Sequence, residues 1–478
     1  MTQHHMRIQR IADSSLPTAV DLLLPAAFVK KHGISGTHTL EFVYGLQTAI
    51  VDFEITATAS TVRIRESLAR RLHLLEENMT YGFHFHPNTR KLVIGPLVGA
   101  LIYRMAPTED GPFGGITDFC REMVQTCRKR GGLGFIFTLE QVAQENNTVD
   151  GWTYHNNQWI KRRFPLPQCV YNRIGSRRIE EREETQEKIS VLKEKGALFF
   201  NEQFLDKWYI HQRMSLLPET ASFSPCTELY MGAASLTSML QRYPYLYLKP
   251  SNGSLGRGII RLIRSEKGYL CQYSSLNGTV TRRYPTFGML HQMLRSRMKN
   301  QPYLMQQGLH LIKSRGGIAD FRALVQKNKH GRWSITSIVG RSAPTRSSIV
   351  SNVAHGGTML TLGAALTAAG FPPMACKSIA ASIRQHALLI AQLFEQCTEG
   401  HYAELGIDLG VDKQGKVWLL EINSKPSKTN NSVASAGKGT RRSVIRLIDY
   451  CFYRSGFISP APKKTPQTKR RTRRKSSS

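Results

Sequence analysis

Paired cysteines are absent from this sequence. Its eight cysteines are scattered over 478 residues with no C-x-x-C pair. That argues against a zinc knuckle and a disulfide scaffold, and leaves buried thiols as the expectation. No apolar run approaches the ~18 residues that a membrane helix needs. The opening residues, MTQHHMRIQR, lack the apolar core and cleavage site of a signal peptide. Synthesis and folding in the cytoplasm, with no membrane partner, are the corresponding expectations. No Ser/His/Asp or Cys/His set suggests a side-chain nucleophile. Acids are scarce too: 34 Asp and Glu face 65 Lys and Arg, a net charge of +31. Eight of those cations lie between Lys463 and the C-terminus without a single acid, so the body itself keeps +23. A body this positive attracts nucleotides, nucleic acid, anionic polymers or acidic proteins, and charge alone does not choose among them.

What is present divides into segments. The chain is too long for one core, and its 41% apolar and 21% charged residues describe a globular protein. Residues 1–85 read as a small β-rich, barrel-like module, with strands near 21–24, 39–44 and 49–56 and a short helix at 66–74. Residues 86–200 read as an α/β unit: a strand at Lys91–Ile94, a helix near 116–130 and a buried strand at 134–138 suggest a parallel sheet. The aromatic and basic stretch GWTYHNNQWIKRRF, from Gly151, has two readings. It is a nucleic-acid surface, or a hairpin with packed rings and solvated arginines, and the hairpin weighs more. Residues 456–478 have too little apolar content to fold and are expected to be a disordered basic tail.

Residues 201–455 carry the chemistry. Rings and aliphatic side chains alternate over 245–248. Lys249-Pro250 then leads into SNGSLGRG and a strand at 259–263. Strand, glycine-rich loop, strand is neither a P-loop nor a Rossmann turn, since no helix follows. It still suits phosphate. Gly253, Gly256 and Gly258, with Ser254 among them, let backbone N–H groups approach an anion. Lys249 places a point charge beside it, and Arg257 a second.

The segment ELGIDLGVDKQGKVWLLEIN, from Glu404, reads as a hairpin whose turn, 412–415, is flanked by Val411 and Lys416. That register pairs Asp408 with Leu419, diagonal to Glu421 at ~7–8 Å. Asp408, Glu421 and Asn423 then share a face, together with Val417 and Leu419. These oxygen donors suit one or two magnesium ions, which take one or two carboxylates plus substrate phosphates. A solvated polar face is the alternative, and the apolar neighbours argue against it.

A strand lysine, a glycine-rich hairpin and a late Asp…Glu-x-Asn hairpin, in that order, resemble the ATP-grasp superfamily. The resemblance implies an ATP-grasp fold of the α/β (α+β) class with ATP and Mg²⁺ as cofactors. By the same resemblance Lys207, in Asp206-Lys207-Trp208, reaches a nucleotide phosphate. Gln306, Gln307, Gly308 and Leu309 line the base pocket. Asp320-Phe321-Arg322, Arg341, Ser351-Asn352 and Gly356-Gly357 follow an order similar to that of glutamate ligases acting on ribosomal protein tails. This makes Arg322 and Arg341 the contacts to the transferring phosphate, with salt bridges as the rival reading for both. The segments IGPLVGALIY, GFIFTLEQV, VYNRIGSRRIE and YLKPSNGSLGRGI resemble the YheC/YheD family, described as associated with the endospore coat. The activity implied is carboxylate–amine ligation through an acyl phosphate, with carboxylate and amine unspecified. Two alternatives stay open: a non-catalytic ATP-binding coat component, and a basic protein associated with nucleic acid. The tail falls outside the family pattern: a solvated tail with no specific partner is the leading reading, with nucleic acid, another anionic polymer or an acidic coat protein as the partners it would otherwise take.

Overall fold

A computed structural model describes residues 4–458 apart from 58–59, 75–78, 110, 144, 254–255, 276–277, 300, 346–347, 350, 352–355 and 429–438. The basic tail lies outside the described residues. The first seven strands close into a barrel. Alternation drives it: Leu40, Phe42 and Tyr44 of Thr39–Tyr44 point inward, as do Val51 and Phe53 of Gln47–Thr56. The sequence expectation ended this module at residue 85 and gave Lys91–Ile94 to the next segment. The structure places that strand in the barrel, parallel to Thr39–Tyr44 and antiparallel to Thr80–His86. Without it two strand edges would stay open.

A second sheet follows. Leu97–Leu101 pairs in parallel with Leu133–Phe137 and with Cys169–Asn172, and Leu198–Phe200 extends the parallel run. The aromatic stretch forms the hairpin Thr148–His155/Gln158–Pro165. Trp152, Tyr154 and Trp159 pack against the core of this sheet, while Arg163 pairs with Asp150 at 2.9 Å. The C-terminal helix, Arg442–Arg454, also buries its apolar face here. Val444, Leu447, Ile448 and Phe452 join Phe119, Met123 and Ile136 in one core. Residues 201–455 therefore do not pack as a separate unit.

Two antiparallel sheets make up the rest. The lid sheet runs Thr227–Leu229, Tyr303–Gln307, Tyr245–Pro250, Ile260–Ser265, Gly268–Ser275 and Gly278–Tyr284. One face buries Leu248, Leu262, Cys271 and Met305 under the helices Ala233–Arg242 and Phe287–Met298. The base sheet runs Thr358–Thr361, Trp333–Ser342, Gly317–Lys327, Glu404–Val411 and Val417–Asn423. Phe321, Ala323, Ile407 and Leu409 pack with Ile383, Ala387 and Ile390 of the 25-residue helix Pro373–Cys397. The opposite faces of the two sheets border a cleft. No disulfide is present, and five of the eight cysteines are buried. No helix among the described residues is long and apolar enough to cross a membrane.

The base sheet is tied to the second sheet by buried charge. Glu404, fully buried, accepts hydrogen bonds from Tyr171 Oη at 2.8 Å and Gln326 Nε2 at 2.7 Å, and pairs with buried Lys428. Removing one partner of a buried pair strands the other charge and costs about 3–5 kcal/mol. Lys428→Met is expected to lower stability by about that much in urea unfolding. Adding Glu404→Leu to the same chain should recover part of the loss. A single variant as stable as the parent would show that the pair contributes nothing.

Candidate functional site

The carboxylate hairpin folds differently from the simple register. Val411 pairs with Val417, not Lys416. Asp412 Oδ1 accepts from the N–H groups of Gln414 and Lys416 at 3.0 and 2.9 Å, which lengthens the turn by one residue. The register then shifts between Asp408 and Leu409, so Asp408 lies directly opposite Glu421 and Leu409 opposite Leu419. The shift is a bulge at Leu420. Two expectations are corrected. Asp408 does not pair with Leu419, and Val417 and Leu419 turn to the other face, into the apolar core. Asp408, Glu421 and Asn423 still line one cavity.

Asp408 is buried for a different reason. Arg322, across from it on the neighbouring strand, grips both carboxylate oxygens, with Nη2 at 2.7 Å from Oδ2. Arg341 Nη2 lies 3.1 Å from Asp408 Oδ1. The Nε and Nη2 of Arg341 also donate to Asp320 at 2.7 Å each, and Ser351 Oγ donates to Asp320 at 2.5 Å. Both arginines thus form the ion pairs that were the rival reading, but inside the cleft: the side chains of Arg341 and Asp408 are 11% and 10% exposed. Burial works against the Asp408 charge, yet Arg322 and Arg341 outweigh it and hold the carboxyl below its ordinary range. Burial likewise opposes the Arg341 charge, and Asp320 and Asp408 raise its pKa in spite of it.

The two lysines come from different elements: Lys249 from the lid strand Tyr245–Pro250, and Lys207 from a helix packed into the base core. Lys207 opens the helix Lys207–Ser215, whose cap Asp206 accepts from Trp208 N at 2.8 Å and Tyr209 N at 3.1 Å. Its Nζ donates to the Gly253 carbonyl and lies 3.7 Å from Glu421 Oε1. Lys249 Nζ donates to Gln306 Oε1 at 2.5 Å. Burial pushes Lys249 down to about 8, with Glu421 opposing and Lys207 adding to the shift. Gly256 and Gly258 take φ of +74° and +75°, where a side chain is strained. A Cβ at Gly258 would also stand 2.8 Å from the Pro250 ring. Gly253 and Gly256 line the cavity; Gly258 does not, and Ser254 lies outside the described residues. Gln306, Gln307 and Leu309 line it as well. Gly308 instead makes room for the Tyr245 ring, which a Cβ there would meet at 2.4 Å.

The cavity encloses about 830 Å³ between lid and base. Its far end adds residues that motif reading passed over: Arg173, Arg177, Lys425 and Lys428. Lys425 and Lys428 follow Asn423 directly in Ser-Lys-Pro-Ser-Lys, so proximity to the hairpin was the available signal. Lys425 is almost fully buried against Glu180, and burial lowers its pKa to about 8, with Glu180 opposing.

A family model described as YheC/D like ATP-grasp matches residues 196–453. The chain belongs to this family. Its fold is therefore ATP-grasp, as the motif order implied. The endospore coat-associated protein YheD of Bacillus subtilis is 31% identical over 84% of this chain and 87% of its own length. YheC of the same organism, also named endospore coat-associated, is 22% identical over 62% of this chain and 82% of its own. Among solved structures, VanG D-Ala:D-Ser ligase from Enterococcus faecalis covers 74% of this chain and 99% of its own, at 9% identity and TM-score 0.45.

The arginine–carboxylate network generates a pH expectation for this family member. Asp408 has a lowered folded-state pKa, so its contribution to stability is present above the ordinary carboxylate value near 4 and is lost as pH falls below it. Asp408→Asn should cost about 3 kcal/mol at neutral pH, the low end for a broken buried pair because Arg322 is 27% exposed. It should also flatten the acid limb of urea-unfolding curves. An unchanged acid limb would mean that Asp408 does not set it.

Proposed function

We propose that the cleft binds magnesium ATP, phosphorylates a carboxylate and passes the acyl phosphate to an amine. The observation that carries this reading is the convergence of lysines, arginines and carboxylates on one cavity between lid and base. Lys249 and the loop residues Gly253 and Gly256 reach it from the lid; Asp408, Glu421, Asn423, Arg322 and Arg341 reach it from the base sheet; and Lys207, on a helix packed into the base core, stands between Gly253 and Glu421.

The donor set fits a hard cation. Among the described residues no cluster of three or more His, Cys, Asp or Glu is placed to hold a metal by itself. Magnesium does not require one: it takes one or two carboxylates and completes its shell with waters and phosphate oxygens. Asp408, Glu421 and Asn423 would hold one or two ions, which would supply charge neutralisation to the nucleotide phosphates. Lys207 and Lys249 would fix the phosphates, and Gln306, Gln307 and Leu309 the base. The substrate carboxylate oxygen bonds to the γ-phosphorus as ADP leaves. The amine nitrogen then bonds to the acyl carbon, and phosphate leaves. Arg322 and Arg341 would stabilise charge on the transferred group. Positioning and electrostatics suffice, so no side-chain nucleophile is needed.

A second reading has its own support: a nucleotide-holding coat component without turnover. Arg322 and Arg341 saturate Asp408, and the relatives carry coat-associated names. ADP release with pooled amino acids, peptides and acidic polymers separates the two. Release that no pool raises above background favours the second.

Two measurements test the site. Glu421→Gln, alone and with Asp408→Asn, should weaken Mg-ATP binding by about tenfold or more, roughly 1.4 kcal/mol, in calorimetry on folded protein. Equal affinity would remove the metal assignment. Because Lys249 titrates at about 8, nucleotide affinity should be full below that pH and decline as pH rises through it. A bound phosphate favours the ammonium, and above pH 8 binding must take up a proton. Lys249→Arg cannot deprotonate in this range, so its affinity should stay flat. A decline that persists in that variant would assign it to another group.

A further inference from the structure

The positive charge of the body is concentrated. Residues 241–300 hold eleven Lys or Arg residues and one acid, Glu266, a net +10 of the chain's +31. These residues build the cleft strand Tyr245–Pro250 with Lys249, the glycine loop with Arg257, and then, over 260–300, the outer strands of the lid sheet and its helix Phe287–Met298; that last segment carries eight of the eleven cations. Among the described residues, Arg242–Glu228 is the only ion pair from this stretch. Arg257, Arg264, Lys267, Arg282, Arg283 and Arg295 are exposed.

The sheet also ends here. Gly278–Tyr284 pairs with Gly268–Ser275 on one side and with no strand on the other among the described residues. Arg282 lies across from Cys271 and Arg283 across from Leu270, so the two cations flank the open edge on opposite faces. One or two cations would be enough to guard an edge strand against self-association. A surplus on this scale calls for a polyanion.

An extended peptide adds to such an edge through main-chain hydrogen bonds, with alternate side chains turned to either face. Carboxylates on that peptide would meet both arginines. A single-stranded nucleic acid would want stacking rings, and no aromatic residue of this stretch is exposed; Tyr269 and Tyr284 are half-buried and Tyr273 is buried. The edge also leads to the cleft. Tyr247, which lines the cavity, begins a cross-strand row through Arg261 and Gln272 to Thr281 on the edge strand. Three strand spacings, about 14 Å, separate the two ends.

We propose that the open edge Gly278–Tyr284 and its cations dock an extended acidic polypeptide. Its identity as the carboxylate substrate rests on the ligase reading; the docking does not. The test is fluorescence anisotropy of a labelled oligo-glutamate peptide on the full chain. Binding is expected at low ionic strength and should weaken steeply as salt is added. Arg282→Glu with Arg283→Glu should weaken it about tenfold or more, while melting temperature and Mg-ATP affinity stay unchanged. The milder pair Arg282→Gln with Arg283→Gln should move it less, in the same direction. No binding by the parent, equal binding by the charge-reversed variant, or tighter edge-dependent binding of DNA than of peptide would each overturn the proposal. Glu421→Gln should leave peptide binding intact. Peptide binding without ADP release would then count against the ligase reading and leave the docking edge in place.

Discussion

Four neighbouring strands set like and unlike charges side by side, and the site depends on how they cancel. Arg322, Asp408 and Glu421 occupy one row across the base sheet, and Asp320 faces Arg341 one pair away. Two carboxylates directly opposite each other repel. Here the repulsion is absorbed: Arg322 and Arg341 neutralise Asp408, and Lys207 stands 3.7 Å from Glu421. The row is fixed from behind. Phe321, Ala323, Ile407 and Leu409 leave the strands on the other face and pack against the long helix. A one-residue slip would send those side chains into the cleft and the charges into the core. The hydrophobic face therefore sets the geometry of the polar one.

Burial decides which ion pairs matter. Exposed pairs such as Arg213–Glu399 contribute about 0–1 kcal/mol. Lys428–Glu404 and Lys425–Glu180 are nearly inaccessible, and both lysines sit in the loop that follows Asn423. Asn201 adds a hydrogen bond from Nδ2 to the Glu404 carbonyl at 2.8 Å. The loop behind the donor hairpin is thus clamped to the base strand Glu404–Val411 and to the short helix Arg177–Glu180, and Asn423 inherits a fixed position. The C-terminal helix strengthens the same joint, since its apolar face completes the core of the second sheet.

Much of this was legible in order and type. The glycine-rich hairpin follows from alternation over 245–248 and the glycines after it, and the late hairpin from its polar turn. The bulge was missed although the sequence holds its trace. In VWLLEIN strict alternation would put Val417 and Leu419 beside Glu421 and Asn423, and the adjacent leucines mark where the alternation breaks. Barrel closure by Lys91–Ile94 left no such trace, because an apolar run does not name its neighbour. The C-terminal helix shows the same limit: amphipathicity says which face is buried, not against what. Arg322 and Arg341 do line the cleft, but a pairing among four charges on three strands cannot be read from one strand at a time.

That pairing makes the two arginines unequal. Arg341 holds Asp320 with two hydrogen bonds, and Asp320 is held in turn by Ser351. Moving Arg341 would break both its pairs: Asp408 would keep Arg322, but Asp320 would lose its only ion-pair partner among the described residues. Arg322 is 27% exposed against 11% for Arg341, and Asp408 is its only ion-pair partner among the described residues. Releasing it costs one bidentate pair, and Asp408 keeps Arg341. An incoming phosphate offers Arg322 a second anion of the same bidentate geometry. The sheet thus holds Arg341 by two carboxylates and Arg322 by one, and under the proposed function it is release of Arg322 that would free Asp408 Oδ2 for a cation while Arg341 stays on Oδ1.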